Sequence, residues 1–287
     1  MIRPIVVLNL LLICLMIACT ETKSDQKTPN DEVISSSTNK VVLSTEINWE
    51  QLNPARGDKS PQAGTIWGDR KGTVATGFLA KFVDGFSSPP HIHNVTYRAM
   101  VIKGLIHNDD PAAERMWMPA GSFWTQPAGE SHITSAKGEE CIAYVEIDSG
   151  PYLVKPIGEA FDNGERPVNV DKNNMVWLDA SKTKIIDADT SALSPEVAFL
   201  WENKDMTGTL VKWPSGFSGE IISDGAIFHA VIITGTSTYS IPQSGEVKEL
   251  DPGSYFTSQG KSRHPIEANK EGEMLIYIRT NGKIHIR

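Results

Sequence analysis

The 287-residue chain carries one sequence pattern twice. "LAKFVDGFSS" (79–88) aligns with "LVKWPSGFSG" (210–219), "GSFWT" (121–125) with "GSYFT" (253–257), and "IAYVEI" with "LIYIRT". Gly104 falls against Gly235 and His132 against His264, an offset near 131 to 132 residues kept through separate segments. A duplicated unit of about 120 residues accounts for this, each copy being a domain in its own right. Within each copy, runs such as "YRAMVIKG" and "ECIAYVEI" place β-branched and aromatic residues at two-residue spacing between Gly, Pro, Asn and Asp. None keeps a helical period over three turns, so the fold class is all-β, in two tandem domains. The join falls in "DNGERPVNVDKNN" (162–174), a polar stretch rich in turn formers.

The first nineteen residues, "MIRPIVVLNLLLICLMIAC", hold Arg3 and then an apolar run from Ile5 to Ile17, short for a bilayer span and suited to a signal peptide. The ending "MIAC" resembles the bacterial lipobox, with Met16 where leucine is usual. That resemblance implies lipidation of Cys19 and an exported lipoprotein anchored to a membrane, on the periplasmic side or at the outer membrane. The polar stretch "TETKSDQKTPNDEVISSSTNK" reads as a tether. The expected organisation is a signal peptide over 1–18, a tether over 19–46, a first domain over 47–168 and a second over 169–287. Cys14 would leave with the signal and Cys19 would carry lipid, which leaves Cys141 alone and excludes an internal disulfide. Its alternating context makes it a buried core residue. A net charge of −8 and a pI near 5.4 leave no basic stripe for a phosphate backbone, so no nucleic-acid partner is expected.

Two histidines in "PPHIHNVTYRAMVIKG" (89–104) stand one residue apart. On a strand they leave the same face with Cα atoms about 7 Å apart, and form either a two-nitrogen clamp or ordinary polar positions. From Gly85 the pattern runs G-x5-H-x-H, reaches Tyr97 and closes at Gly104; from Gly121 it runs G-x5-P-x-G-x2-H through Pro127 and Gly129 to His132. These resemble the two signature motifs of the cupin superfamily. "PPHIHNVTYR" and "GSFWTQPAGESH" are also similar to an uncharacterised family of bacterial two-cupin proteins. The resemblance covers roughly residues 47 to 287 and implies two tandem jelly-roll barrels. It further implies that His91, His93 and His132 ligate one divalent transition metal, with zinc, iron and manganese as the expected ions.

The family's fourth ligand, a glutamate, is absent, and Tyr97 occupies its slot. Tyr97 is therefore the candidate catalytic residue, its alternative being a half-buried aromatic with a bonded hydroxyl. Three neutral imidazoles leave the site charge near +2, which favours an anionic or enolisable small-molecule substrate. In the second copy His91, His93, Tyr97, Pro127 and His132 align with Ile222, Asp224, Phe228, Gln259 and His264. That set makes a poor metal site, and the resemblance implies a degenerate barrel serving as scaffold or homodimer surface, with a separate organic-ligand pocket as the alternative. His107, Asp109 and Asp110 rim the pocket or sit in a solvated loop; Trp117, Phe123 and Trp124 wall a cavity or pack the core; Glu130 is a second acid or simply exposed. Three function classes follow: a dioxygenase-like metalloenzyme, a non-catalytic metal- or ligand-binding sensory module, and a structural envelope protein.

Overall fold

The two "IAYVEI"-type segments show how sequence becomes architecture. In strand Met274–Thr280 the residues Met274, Ile276 and Ile278 point into one apolar core, while Leu275 and Tyr277 point into another. In Ile133–Ile147, Ala143, Val145 and Ile147 face their own barrel core and Tyr144 the opposite side. Both strands are covered on two faces, which is why they read as nearly unbroken apolar runs. The computed structural model describes residues 38–187 and 193–287. The expected signal segment and Cys19 lie outside the described residues.

The first barrel is an antiparallel sheet in the order Val168–Val170, Phe123–Gln126, Tyr97–Asp109, Ile133–Ile147, Thr76–Val83, Gln62–Trp67 and Glu50–Gln51, with a ribbon of His91–His93 and Val154–Pro156. The second has a six-stranded and a five-stranded sheet. Long strands Tyr97–Asp109 and Ile133–Ile147 bend around the first barrel, and their register shifts twice between Val101 and Leu105. Gly104, at φ 77°, sits in this bend against Cys141, where a Cβ would come within 2.5 Å of Sγ. In the second barrel the matching path is split into Phe228–Thr234 and Ser237–Ser240, with Gly235 at φ 77° between them. A left-handed glycine marks the same corner in both copies.

Two boundaries differ from expectation. Lys40–Val42, expected as tether, pairs with Tyr255–Ser258 and closes the edge of the second barrel's sheet; a one-turn helix, Ser44–Glu46, follows it. Val168–Val170, at the expected domain join, pairs with Phe123–Gln126 of the first barrel. Each barrel thus receives an edge strand from the segment leading into the other. The physical reason lies in "KVVL" and "PVNV", short apolar alternations beside polar flanks that gain backbone partners and cover an open edge.

Between the barrels lies a third apolar cluster, containing Leu79, Met100 and Tyr144 from one side and Leu210, Val231 and Tyr277 from the other. Glu146, fully buried, accepts from Tyr144 Oη (2.9 Å), Tyr277 Oη (2.7 Å) and Arg279 Nη1 (3.2 Å). Arg279 also reaches Asp148 at 2.8 Å, so this buried charge is paired. Trp67 and Trp201 flank the network, each donating from Nε1 to a tyrosine, Trp67 to Tyr144 (3.3 Å) and Trp201 to Tyr277 (2.8 Å). Each indole lies on a glycine: a Cβ at Gly77 would meet Trp67 Nε1 at 2.1 Å, and one at Gly208 would meet Trp201 Nε1 at 1.9 Å. Gly77→Ala and Gly208→Ala are each expected to cost about 1–3 kcal/mol through displacement of that indole. Chemical denaturation should show it, with Gly158→Ala, which meets nothing within 4 Å, close to wild type.

Candidate metal centre

His91 and His93 lie on the short ribbon His91–His93, and both are buried. His132 is brought alongside by a two-way backbone pairing: His91 N donates to His132 O and His132 N to His91 O, each at 3.0 Å. The turn through Pro127 and Gly129 is tied to the same ribbon, because Gly129 N donates to His93 O at 2.8 Å. The three rings stand 4.3 to 5.2 Å apart by centroid. One ligand-capable nitrogen from each lies within 4.8 Å of the others.

Each imidazole is also oriented from behind. His91 Nδ1 lies 2.9 Å from Pro89 O, His93 Nδ1 3.1 Å from Leu153 O, and His132 Nδ1 3.2 Å from Glu130 O. A carbonyl only accepts, so the hydrogen-bond pattern assigns the proton to Nδ1 and leaves the Nε2 lone pairs as donors to a metal. Burial lowers the pKa of His91; burial and then the neighbouring histidines hold His93 well below the usual imidazole value; burial takes His132 down to about 3. All three are neutral at pH 7, as metal ligation requires. The donor set fits a divalent transition ion of the kind imidazole favours, and it leaves coordination positions open.

Two phenols attend the triad. Tyr97, in the absent glutamate's slot, places its hydroxyl 3.4 Å from His132 Nε2 and donates to Asn108 Oδ1 at 2.9 Å. Thr134 Oγ1 donates to the same oxygen (2.7 Å), and Asn108 Nδ2 donates to Gln126 Oε1 (2.9 Å). Tyr152 was not singled out by the sequence. It stacks on His93 with centroids 4.4 Å apart, and its hydroxyl lies 3.2 Å from His93 Nε2. Asn94 positions it, donating to Pro151 O (3.0 Å) and accepting from Leu153 N (2.9 Å). Burial raises the pKa of both phenols, so both stay protonated. Nothing in the spacing around "SGPYL" could have identified Tyr152, because it arrives from a loop some sixty residues away.

A cavity of about 400 Å³ opens onto this group, lined by His91, His93, Tyr97 and Tyr152 and by an apolar wall that includes Phe78, Trp124 and Val145. Of the other candidate residues in the sequence, Trp124 lines the cavity, Phe123 packs between the barrels, and Trp117 and His107 face each other outside the cavity lining. Asp109 accepts from Asn169 and Asp110 caps its own turn. Glu130 contributes only backbone oxygen to His132 and Gln126. Cys141 is buried and free, its thiol pKa raised by burial.

The second barrel corrects the alignment by one residue. His91 pairs with His132, whereas Ile221 pairs with His264, so the counterparts of His91 and His93 are Ile221 and Ser223 rather than Ile222 and Asp224. The cause is a loop one residue longer: four residues separate Ser223 from Phe228, three separate His93 from Tyr97. Tyr97 against Phe228 holds, since Tyr97 pairs with Gln126 and Phe228 with Ser258. His264 is fully buried, stacked on Phe228, with Nδ1 2.8 Å from Tyr239 Oη and Nε2 3.1 Å from Ser258 Oγ. Among the described residues no second group of three potential ligands comes together in this way.

A family model described as a domain of unknown function (DUF4437) matches residues 40–287. No curated protein sequence matches the chain. Among solved structures, a "putative dioxygenase" from Nostoc punctiforme PCC 73102 superposes with a TM-score of 0.63 at 15% identity, over 84% of this chain and 82% of its own. The oxalate decarboxylase of Lactobacillus farciminis, in a formate complex, gives 0.56 at 10% identity, over 85% and 86%. The Ylba protein of E. coli gives 0.57 at 12%, over 88% and 94%. At these identities the likeness shows the fold, two tandem cupin barrels.

Proposed function

Taking as premise that the chain belongs to the DUF4437 family and holds three histidines suited to a metal in one of two cupin barrels, we propose that it is a metal-dependent oxidoreductase of the dioxygenase-like type. It acts on an anionic or enolisable small molecule in the first barrel. The observation that carries this reading is the pairing of three locked Nε2 donors with a cavity large enough for a substrate. A purely structural metal site would be closed by a fourth protein ligand. A divalent ion held by His91, His93 and His132 supplies Lewis acidity and, if iron or manganese, a redox-active centre.

The chain's own residues set the rest. Phe78, Trp124 and Val145 exclude water from the site and strengthen every polar contact inside it. His93 Nε2 has one lone pair and serves either Tyr152 or a metal. With the metal in place, the Tyr152 hydroxyl becomes a donor free for the substrate. Tyr97, by contrast, spends its proton on Asn108. We therefore assign Tyr97, the candidate catalytic residue of the sequence, to positioning, and Tyr152 to contact with substrate. Tyr152→Phe is expected to lower turnover ten- to a hundredfold with metal content unchanged, the scale of one charge-assisted hydrogen bond of about 1.5–3 kcal/mol. Tyr97→Phe should instead cost about 1 kcal/mol of stability by removing one donor from the buried Asn108. Turnover lost in Tyr97→Phe and kept in Tyr152→Phe would reverse the assignment.

The test of the reading itself is elemental analysis of the purified protein, then oxygen uptake with a panel of β-diketones and thiols. About one metal per chain with oxygen uptake supports it; metal and ligand binding without turnover would make the barrel a sensory binding module. Export and anchoring through Cys19 belong to the same proposal. Cys19→Ser should abolish fatty-acid labelling and leave an unlipidated form, and persistent labelling would contradict the anchor.

A further inference from the structure

The cavity's charge runs against that of the molecule. The chain carries −8 overall, yet the cavity lining includes no carboxylate and one permanent cation, Arg56. Arg56 sits on the short helix Pro54–Lys59, with its guanidinium carbon 5.1 Å from the centroid of Phe86, another lining residue. It makes no ion pair among the described residues, whereas Arg70 and Lys81 are each paired with a glutamate. It is exposed, whereas the three histidines are buried. The guanidinium therefore marks the solvent end of a pocket whose other end is the imidazole cluster. Between them the wall is mostly aromatic and aliphatic, with Phe78, Phe82, Ala143 and Val145 among its residues.

An exposed arginine stacked on a ring and free of acidic partners keeps its planar fork available for a carboxylate, with its body desolvated on one face. Apolar walls favour a ligand with an apolar body, and a volume of about 400 Å³ lies in the range of small-molecule pockets. A very small diacid would leave the wall without contacts. A neutral apolar molecule would leave Arg56 unused.

We propose that the first barrel's cavity takes a monocarboxylate with an apolar, ring-sized body, its carboxylate pairing with Arg56 at the mouth and its other end reaching His91 and His93, the two histidines that line the cavity. This rests on the metal reading for its inner end only. Arg56 is then a specificity-determining residue, selecting acids over their neutral analogues.

The experiment uses 3-phenylpropanoate and its neutral amide, titrated by calorimetry at low salt into wild type, Arg56→Gln, Arg56→Lys and His91→Ala/His93→Ala, with metal content measured for each. Wild type should prefer the acid at least tenfold. Arg56→Gln should bring the two probes to near equality with metal content unchanged, and Arg56→Lys should recover part of the preference. The double histidine variant should keep it. No acid preference in wild type, no binding of either probe, or a preference that survives Arg56→Gln would overturn the proposal. Preference lost in the histidine variant but kept in Arg56→Gln would place the carboxylate at the imidazoles instead. A metal-free wild type with an intact, Arg56-dependent preference would sink the metalloenzyme reading and leave this one standing.

Discussion

His91→Ala together with His93→Ala is expected to strip the protein of stoichiometric metal, from about one ion per chain to a trace, while the chain stays folded. Two of three ligands disappear, and changes to outer-shell partners alone already cost about 10- to 100-fold in affinity, so the loss here should exceed that range. The fold should survive because both histidines line a cavity, whereas the fully buried Ile92 between them is left in place. His264→Gln is the matched control. His264 has both ring nitrogens engaged, by Tyr239 on one side and Ser258 on the other, and Ile221 and Ser223 offer no imidazole beside it. Its replacement should leave the metal content unchanged. Plasma emission analysis of the dialysed proteins checks both, and two ions per chain or full retention in the double variant would show that the metal lies elsewhere.

How much of this was legible in the sequence depends on the distance over which each signal acts. The duplication, the all-β class and the three histidines were readable because they follow from local alternation and from spacings inside two short motifs. The one-residue error at Ile222 and Asp224 arose where a constant offset was carried across a loop that had grown by one residue. On a strand such a slip exchanges the inward and outward faces, which is why Ser223 is buried and Asp224 exposed. Tyr152, Asn108 and Arg56 were invisible for a different reason. Each reaches the site from another element, and only the closed barrel decides that they meet. The exchanged edge strands Lys40–Val42 and Val168–Val170 are three residues long and lie within polar stretches, too short for any periodicity to register.

Acid should unfold the metal-free protein through its buried histidines, before the arginine-paired carboxylates of Asp148 and Glu220 are protonated. His132 and His264 are fully buried and neutral, each with a pKa taken by desolvation from 6.5 to about 3. His229, stacked on Trp67 at 4.2 Å, is lowered to about 3 by burial and then by Arg279. A folded-state pKa below the unfolded one means that the unfolded chain takes up the proton first as pH falls. The stability these residues contribute is therefore complete above about pH 6.5 and declines steadily toward pH 3. At pH 4.5 each of the two fully buried histidines has lost about 2.7 kcal/mol, roughly 5 together, against a total of about 5–15 kcal/mol for a typical domain. Asp148 and Glu220, held below 3.8 and 4.5 by their arginines, add their loss only at lower pH, so the interval from 6.5 to 4.5 belongs to the histidines. Tryptophan fluorescence against pH should show an unfolding midpoint inside that interval for chelator-treated protein. Metal shifts it downward, because a ligated His132 resists protonation further. His264→Gln removes one titrating group, so the proton uptake on unfolding, read from the pH dependence of the denaturation midpoint, should fall by about one. Uptake unchanged in that variant would mean that His264 is charged in the folded state, and a midpoint below pH 4 in the metal-free protein would contradict the expected loss.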